Sequence, residues 1–284
     1  MAITRNSLKN PNLSDQQRKV IQETLDRNMA CDVWTSKIFK RVGVLLTSHP
    51  NNRAFLRASL SSHKQMGFWT TLIYDNYWTP KDKSLSYDYF MPDRETFDLA
   101  DNFIISKQQD WGGVIFPYFW MLRFGLQHLS MFDYIYHANG DCVVEHPENV
   151  SVLIDMMGDA DIFFVGWDDS TASPMANTTG FIAKKEAALA IMKHFQDHFI
   201  PFDVYEKYSV KLGSGEVRFA KAVLDLGLKN FKPQKNPVDL QLSSPGGTWY
   251  DVIGFRHIHG EYKTLINKGE NLEDIWKYID WELF

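Results

Sequence analysis

Apolar residues in this chain fall into two kinds of run, short unbroken blocks and longer stretches in which they recur every three or four positions. The short blocks are Arg41 to Thr47, Trp69 to Tyr74, Phe103 to Ile105, Phe132 to Ala138, Asp161 to Trp167 and Phe181 to Ala183. Each has the length and β-branched or aromatic content of a buried strand. The periodic stretches predict helices. Ser14 and Gln17 form a capping box for a helix to Met29, with Val20, Ile21, Leu25 and Met29 on one face. A second helix runs from Arg53 to Gln65 with Phe55, Leu56 and Leu60 inward, and Gly67 closes it. Further helices are expected over Pro117 to Leu129 (core face Tyr118, Leu122, Leu126, Leu129), Pro147 to Met157, Lys184 to His198 and, opened by Gly213-Ser214-Gly215-Glu216, through Leu226. Residues 271–284 predict an amphipathic C-terminal helix around Leu272, Ile275, Trp276 and Ile279. Between these elements, residues 77–101 are polar and irregular, as in a flap, and Phe231 to Leu242 is irregular with strand character. Strand, helix, strand in this order is the unit of α/β proteins. The expected fold is therefore one α/β domain with a mostly parallel sheet flanked by helices.

Composition narrows the class. The chain has 284 residues, 44% hydrophobic, with 9 Trp and 20 Phe, enough to bury a large core. The two cysteines, Cys31 and Cys142, cannot build a disulfide framework or a zinc site. No secretory leader and no apolar run long enough for a membrane span is evident, so a soluble, cytoplasmic setting is expected. The net charge of -5 argues against a dedicated nucleic-acid binder. The charge is uneven: residues 1–41 hold eight Lys/Arg against four Asp/Glu.

The candidate chemistry sits where strands end. Asn139-Gly140-Asp141 closes the Phe132 block, and Val143-Val144 follows at once, so Asp141 lies where a buried strand surfaces. Open α/β sheets place ligands at such edges. The loop after the first strand, Ser48-His49-Pro50-Asn51-Asn52, has no Gly-x-Gly-x-x-Gly and no Walker lysine, which excludes the two commonest phosphate cradles. Asp75 ends the second strand and is a candidate for a ribose or base hydrogen bond. Asp168 and Asp169 end the Asp161 block in the same way. Arg123 is the single cation in a very apolar helix and needs an anionic partner or a route to solvent. Glu216 stands in the first turn of its helix, where the dipole favours a carboxylate.

These pieces, in this order, resemble a nucleotide-sugar-dependent glycosyltransferase of the GT-A type, most nearly the retaining glycogenin and lipopolysaccharide-galactosyltransferase group. The likeness covers roughly residues 40–265, between an N-terminal helical extension (1–40) and a C-terminal helix (266–284). Asn139-Gly140-Asp141 sits where that family carries its Asp-x-Asp metal motif, with an amide in place of the first carboxylate. His257-Ile258-His259-Gly260-Glu261-Tyr262-Lys263 fits the group's His-x-x-Gly-x-x-Lys pattern. Asn177-Thr178-Thr179-Gly180 resembles its Asn-x-Gly segment with one extra residue, and Gly215-Glu216 its acidic site near the donor sugar. The resemblance implies a UDP-sugar donor, and Mn²⁺ or Mg²⁺ held by Asp141 and His257 with His259 as the rival ligand. It implies donor contacts from Thr47, Asp75, Arg123, Asn139, Asn177, Gly180, Gly260 and Lys263. Glu216 is the first choice for a catalytic carboxylate, with Asp168 and Asp169 behind it. A retaining outcome is favoured over an inverting one.

Two other readings compete. A sugar-phosphate nucleotidyltransferase normally carries a Gly-rich signature after the first strand, which is absent here. A non-catalytic nucleotide- or glycan-binding protein is suggested by Asn139. The acceptor is open: a glycan, a protein, a small molecule, or a hydroxymethylated DNA base, for which the basic N-terminal segment would have a purpose.

Overall fold

A computed structural model describes residues 41–75, 91–106, 116–168, 174–198, 215–231, 255–270 and 272–283. The expected N-terminal helix over 14–29, most of the flap and the Phe231–Leu242 segment beyond Phe231 lie outside them.

The apolar blocks become a six-stranded sheet. In chain order its strands are β1 (Val42–Ser48), β2 (Trp69–Asp75), β3 (Asn102–Ser106), β4 (Tyr134–Asn139), β6 (Ile162–Asp168) and β7 (Met175–Lys184). Their spatial order is β3-β2-β1-β4-β7-β6. The first four run parallel, while β7 is antiparallel to both β4 and β6. A separate two-stranded ribbon pairs β5 (Cys142–Val144) with β8 (Phe255–His257), antiparallel. The mixed, mostly parallel α/β sheet flanked by helices is the architecture the sequence predicts.

Alternation along β1 shows how both faces are covered. Val42, Val44 and Leu46 join one core with Leu56 and Leu60 of helix α1 (Arg53–Gln65). Val150, Leu153, Ile154 and Met157 of a later helix, Pro147–Met157, complete that layer. Leu45 points to the other core, with Leu122, Leu126 and Leu129 of the helix Phe116–Leu129. Side chains two apart on a strand share a face, and a sheet buried on both sides reads as a continuous apolar run. Helix Phe116–Leu129 approaches β1 closely because Gly125 has no side chain; a Cβ there would stand 2.7 Å from Leu45 Cδ1. Between β2 and β3 a short helix α2 (Arg94–Phe97) is capped by Asp93, whose side chain accepts from Thr96 N. The polar stretch expected as irregular therefore holds a helix at its end. Continuing in chain order, Phe116–Leu129 is α3 and Pro147–Met157 is α4. Then come α5 (Lys185–Asp197), α6 (Gly215–Asp225), α7 (Ile258–Lys268) and α8 (Glu273–Trp276).

One segment has a structure the sequence did not assign, and one expectation is corrected. The segment containing His257 and His259 changes element between the two: β8 stops at His257 and α7 begins at Ile258. The C-terminal stretch is not one amphipathic helix but a single turn, α8, followed by a 3₁₀ turn at Trp281–Leu283. Ile275 and Ile279 are buried as expected, yet Trp276 is 54% exposed. Once the helix ends at Trp276, the 3.6-residue period no longer carries Trp276 onto the face of Ile279.

The chain builds β1, β2 and β3 outward in one direction, then returns through α3 to place β4 on the other side of β1. The C-terminal ends of β1 and β4 thus form the topological switch point, where open α/β sheets leave a crevice. β6 runs parallel to β4, so Asp168 at its end reaches the same rim, as does Asp75 at the end of β2.

His63 of α1 is fully buried, and its Nδ1 donates to Ser59 O at 2.7 Å. Burial pushes its pKa down to about 4. The unfolded chain therefore takes this proton near pH 6.5, while the folded chain resists it until about pH 4. Stability rises with pH across that window, because the unfolded state binds more protons. We expect His63 to cost the wild type roughly 2 kcal/mol at pH 5 relative to pH 7. Urea denaturation at the two pH values should show that loss, and His63→Phe should shrink it.

Candidate functional site

The site is assembled at the switch point by backbone register. Thr47 of β1 lies opposite Asn139 of β4, and Gly140 N donates to Thr47 O at 2.6 Å. The turn after β4 is therefore clamped to β1. It sits so close that a Cβ on Gly140 would meet both Cβ and Oγ of Ser48 at 2.5 Å. Behind the turn, buried Ser59 of α1 donates to Cys142 O at 2.6 Å, and Val144 N donates to Ser62 Oγ at 3.0 Å. Asp141 is fixed between two held segments.

The C-terminal segment is then brought to Asp141 by the ribbon. Cys142 pairs with His257 across β5 and β8, and Ile258 N donates to Asp141 O at 3.0 Å. The switch from strand to helix at Ile258 turns both flanking histidines onto one carboxylate. His257 Nε2 stands 3.1 Å and His259 Nδ1 3.2 Å from Asp141 Oδ2. An ionised carboxylate only accepts, so each of these nitrogens donates. His259 Nδ1 is also 2.9 Å from Asn52 Oδ1, and its ring stacks on Phe55 at 4.8 Å. Gly260 is required here by space: a Cβ would lie 2.5 Å from His257 Nδ1. Arg256 anchors the approach, with Nη2 2.7 Å from Glu261 Oε2 and Nη1 3.6 Å from Glu145 Oε1. Tyr278 Oη donates to that same Glu145 oxygen at 3.0 Å.

Asp141 is 2% exposed. Burial pushes its carboxyl pKa up, but the hydrogen bonds from His257 and His259 outweigh that and hold it well below the usual carboxylate range. It stays charged at any ordinary pH. Its Oδ1 is buried and meets no hydrogen-bond donor among the described residues. The adjacent Cys142 thiol is pushed well up, by burial first and then by Asp141, so it remains an unreactive thiol. Burial also lowers the His49 pKa to about 4, against the pull of Asp141 and with help from His259 and Lys263. His49 is therefore neutral at pH 7, and those four side chains lie within electrostatic range of one another.

Of the residues singled out from the sequence, Asp141, His257 and His259 meet directly, with Gly260 under His257. Thr47 and Asn139 meet on the β1–β4 side. Thr47 Oγ1 is 2.9 Å from His137 Nε2 and makes a longer 3.5 Å contact with Asn139 Oδ1. Lys263 is exposed on α7, one helical turn beyond His259. Asn177 and Gly180 lie within β7, a strand longer than expected, rather than in a loop. Gly180 pairs with Ala138, so Asn177 lies further toward the rim. Asp75 and Asp168 end their strands at that rim, and Asp169 lies outside the described residues. Arg123 is exposed on α3, so solvent meets its charge. Glu216 opens α6 and is half-buried; that burial raises its carboxyl pKa. The side chains that meet the Asp141 carboxylate are His257 and His259.

Three participants were missed: His49, Asn52 and His137. The first two sit in a stretch that reads as an ordinary polar loop. Their signal was position, since the loop leaves the C-terminal end of the first strand. His137 lies mid-strand, buried, stacked on Phe181 at 5.0 Å.

Chemically, one charged carboxylate with two imidazoles suits a divalent cation, and the histidines with Lys263 suit an anion beside it. The orphaned Oδ1 fits such an ion. As the side chains stand, both imidazoles donate to Asp141, and among the described residues no three His, Cys, Asp or Glu side chains form a ready-made metal cage. Among the described residues, no helix is long and apolar enough to cross a membrane. No protein-family model matches the chain, and neither does any curated protein.

Asp141→Asn keeps the shape but replaces the charge with an amide. Because the native state favours the charged form, we expect a loss of about 1–3 kcal/mol in thermal or urea unfolding at pH 7. Unchanged stability would show that the two imidazole contacts contribute nothing net.

Proposed function

We propose that the chain is a glycosyltransferase that moves a sugar from a nucleotide-sugar donor, UDP-linked in the first instance, to a hydroxyl acceptor. One observation carries this reading: a buried carboxylate at the switch point of a mostly parallel sheet, met on one oxygen by His257 and His259 from the far end of the chain. The sequence resemblance to the GT-A type names the same residues.

In this reading Asp141 and His257, with His259 beside them, would hold Mn²⁺ or Mg²⁺, which would supply charge neutralisation at the donor diphosphate. Asn139 would offer an amide oxygen but no charge, so the protein would bring only the one negative charge of Asp141. Lys263 places a point charge by the phosphates. Asp75 binds the nucleoside, while Asn177, Gly180 and Arg123 serve the donor side. Transfer forms a bond between the acceptor oxygen and the anomeric carbon and breaks the bond from that carbon to phosphate oxygen. On the favoured retaining route the departing phosphate takes the acceptor proton, and Glu216 positions the sugar. On an inverting route Glu216, or else Asp168 or Asp169, takes that proton as general base. The raised pKa of Glu216 suits either use.

Asn139 favours a second reading, a non-catalytic protein that binds a nucleotide or glycan without transfer. Donor hydrolysis by the purified protein separates the two.

A thermal-shift screen of UDP-sugars tests donor binding directly. At a hundredfold excess over Kd a true donor should add about 2.7 kcal/mol to apparent stability, and Asp141→Asn should abolish the shift. No shift with any nucleotide sugar overturns the reading. Transfer should vanish in EDTA and return with Mn²⁺ or Mg²⁺; undiminished turnover in EDTA removes the ion from the proposal. Glu216→Gln should lose most transfer yet keep donor binding, and near-normal transfer rejects a catalytic role for it.

A further inference from the structure

Asn52 stands at the N-cap of α1, where an asparagine side chain ordinarily accepts from a backbone N–H two or three residues on. Among the described residues it makes no such bond. The residue is buried, 5% exposed, and its Oδ1 is aimed instead at His259 Nδ1, 2.9 Å away. The backbone holds it there. Asn52 N donates to His49 O at 2.9 Å, closing the 3₁₀ turn Pro50–Asn52 that leads into α1. Three residues on, Phe55 stacks against the same imidazole, with centroids 4.8 Å apart and planes at 22°. The start of α1 therefore grips His259 by edge and by face, and a helix cap is forgone for it. A local rule broken in this way marks a functional position.

Asn52 and Asp141 share one hydrogen. His259 Nδ1 stands 3.2 Å from Asp141 Oδ2, and an ionised carboxylate only accepts. Nδ1 therefore carries the hydrogen, and the Asn52 atom facing it is the carbonyl oxygen. In the neutral ring the lone pair then lies on Nε2. Of the two acceptors the amide is the nearer. With no ion bound, Asp141 alone would satisfy this N–H, and the amide is redundant. With a cation on Asp141 the carboxylate lone pairs are drawn to the ion. A partly buried N–H left without an acceptor would then bear its full desolvation penalty. Asn52 prevents that, because the hydrogen bond, the tautomer and the Nε2 lone pair all persist.

We infer that Asn52 is a positioning residue for the cation site: it keeps the Nδ1–H of His259 bonded when Asp141 turns to an ion, so that the carboxylate is released without orphaning a donor or switching the tautomer. The inference rests on the ion in the proposed transferase reading and adds to it a residue that acts through His259.

Mn²⁺ titration of the full chain, followed by EPR with UDP present and absent, reads ion affinity without turnover. Asn52→Ala should weaken Mn²⁺ binding about tenfold or more, the usual scale for partners that orient a metal ligand. Thermal unfolding of the ion-free variant should hardly change, because Asp141 still meets Nδ1–H there. Asn52→Asp, whose carboxylate accepts the same hydrogen, should bring affinity back to the wild-type value or above. Asn52→Ser caps a helix as well as asparagine does, but its oxygen lies one bond closer to the backbone. It should therefore bind Mn²⁺ as weakly as the alanine variant. ¹⁵N NMR of the histidine rings with Mg²⁺ should show His259 as the Nδ1–H tautomer. Unchanged affinity in Asn52→Ala, failure of aspartate to rescue, or the Nε2–H tautomer overturns the inference. Recovery by serine, or a loss of ion-free stability that tracks the loss of affinity, overturns it in favour of a purely structural role. If the wild type binds no Mn²⁺ with or without UDP, the inference falls and the ion leaves the reading. The transferase reading itself then stands or falls on the UDP-sugar thermal shift.

Discussion

Burying an ionised carboxylate costs several kcal/mol unless donors meet it. Asp141 is buried, and the donors come from residues more than a hundred positions away, His257 and His259. The geometry around it follows from that demand. Ile258 N takes its carbonyl, β8 pairs with β5, and the helix α7 starts at once so that the next histidine turns inward. Gly140 and Gly260 are small because Ser48 of β1 and the His257 imidazole lie against them. Without the carboxylate, the ribbon would still pair, but nothing would orient two imidazoles toward one point.

Much of this was legible because strands buried on both faces announce themselves as unbroken apolar runs. The parallel sheet and the position of Asp141 at a strand end followed from those runs and from the turn after them. What was not legible depends on non-local register. Asn52 reads as a loop amide until β1 places it under His259. The length of β7 was underestimated because Asn177, Thr178, Thr179 and Gly180 are turn-like residues that pairing with β4 and β6 overrides. The C-terminal helix was overestimated for the opposite reason: an amphipathic period persists in the sequence where the chain folds as two short turns.

The amide at Asn139 changes the electrostatics of the cluster more than its shape. Two carboxylates at this turn would repel one another inside a buried site and would need a cation to coexist. With one carboxylate, the two imidazoles alone satisfy Oδ2, and the cluster is stable as a hydrogen-bonded unit. A cation then competes with existing donors instead of relieving a repulsion. On the proposed transferase reading, an ion would therefore enter this site together with the anionic donor, whose phosphates would supply the missing negative charge.

The same reasoning explains why the cationic groups stand where they do. Lys263 is exposed and His49 is neutral, so the rim carries little positive charge that is already compensated by protein. Arg256, by contrast, is engaged by Glu145 and Glu261 and acts as a brace for β8. On the proposed transferase reading, a donor phosphate at the rim would meet the exposed ammonium of Lys263 and not a guanidinium held in an ion pair. The buried charge of Asp141 would then contribute to a diphosphate only through a bound cation, a division of labour that neither residue could provide alone.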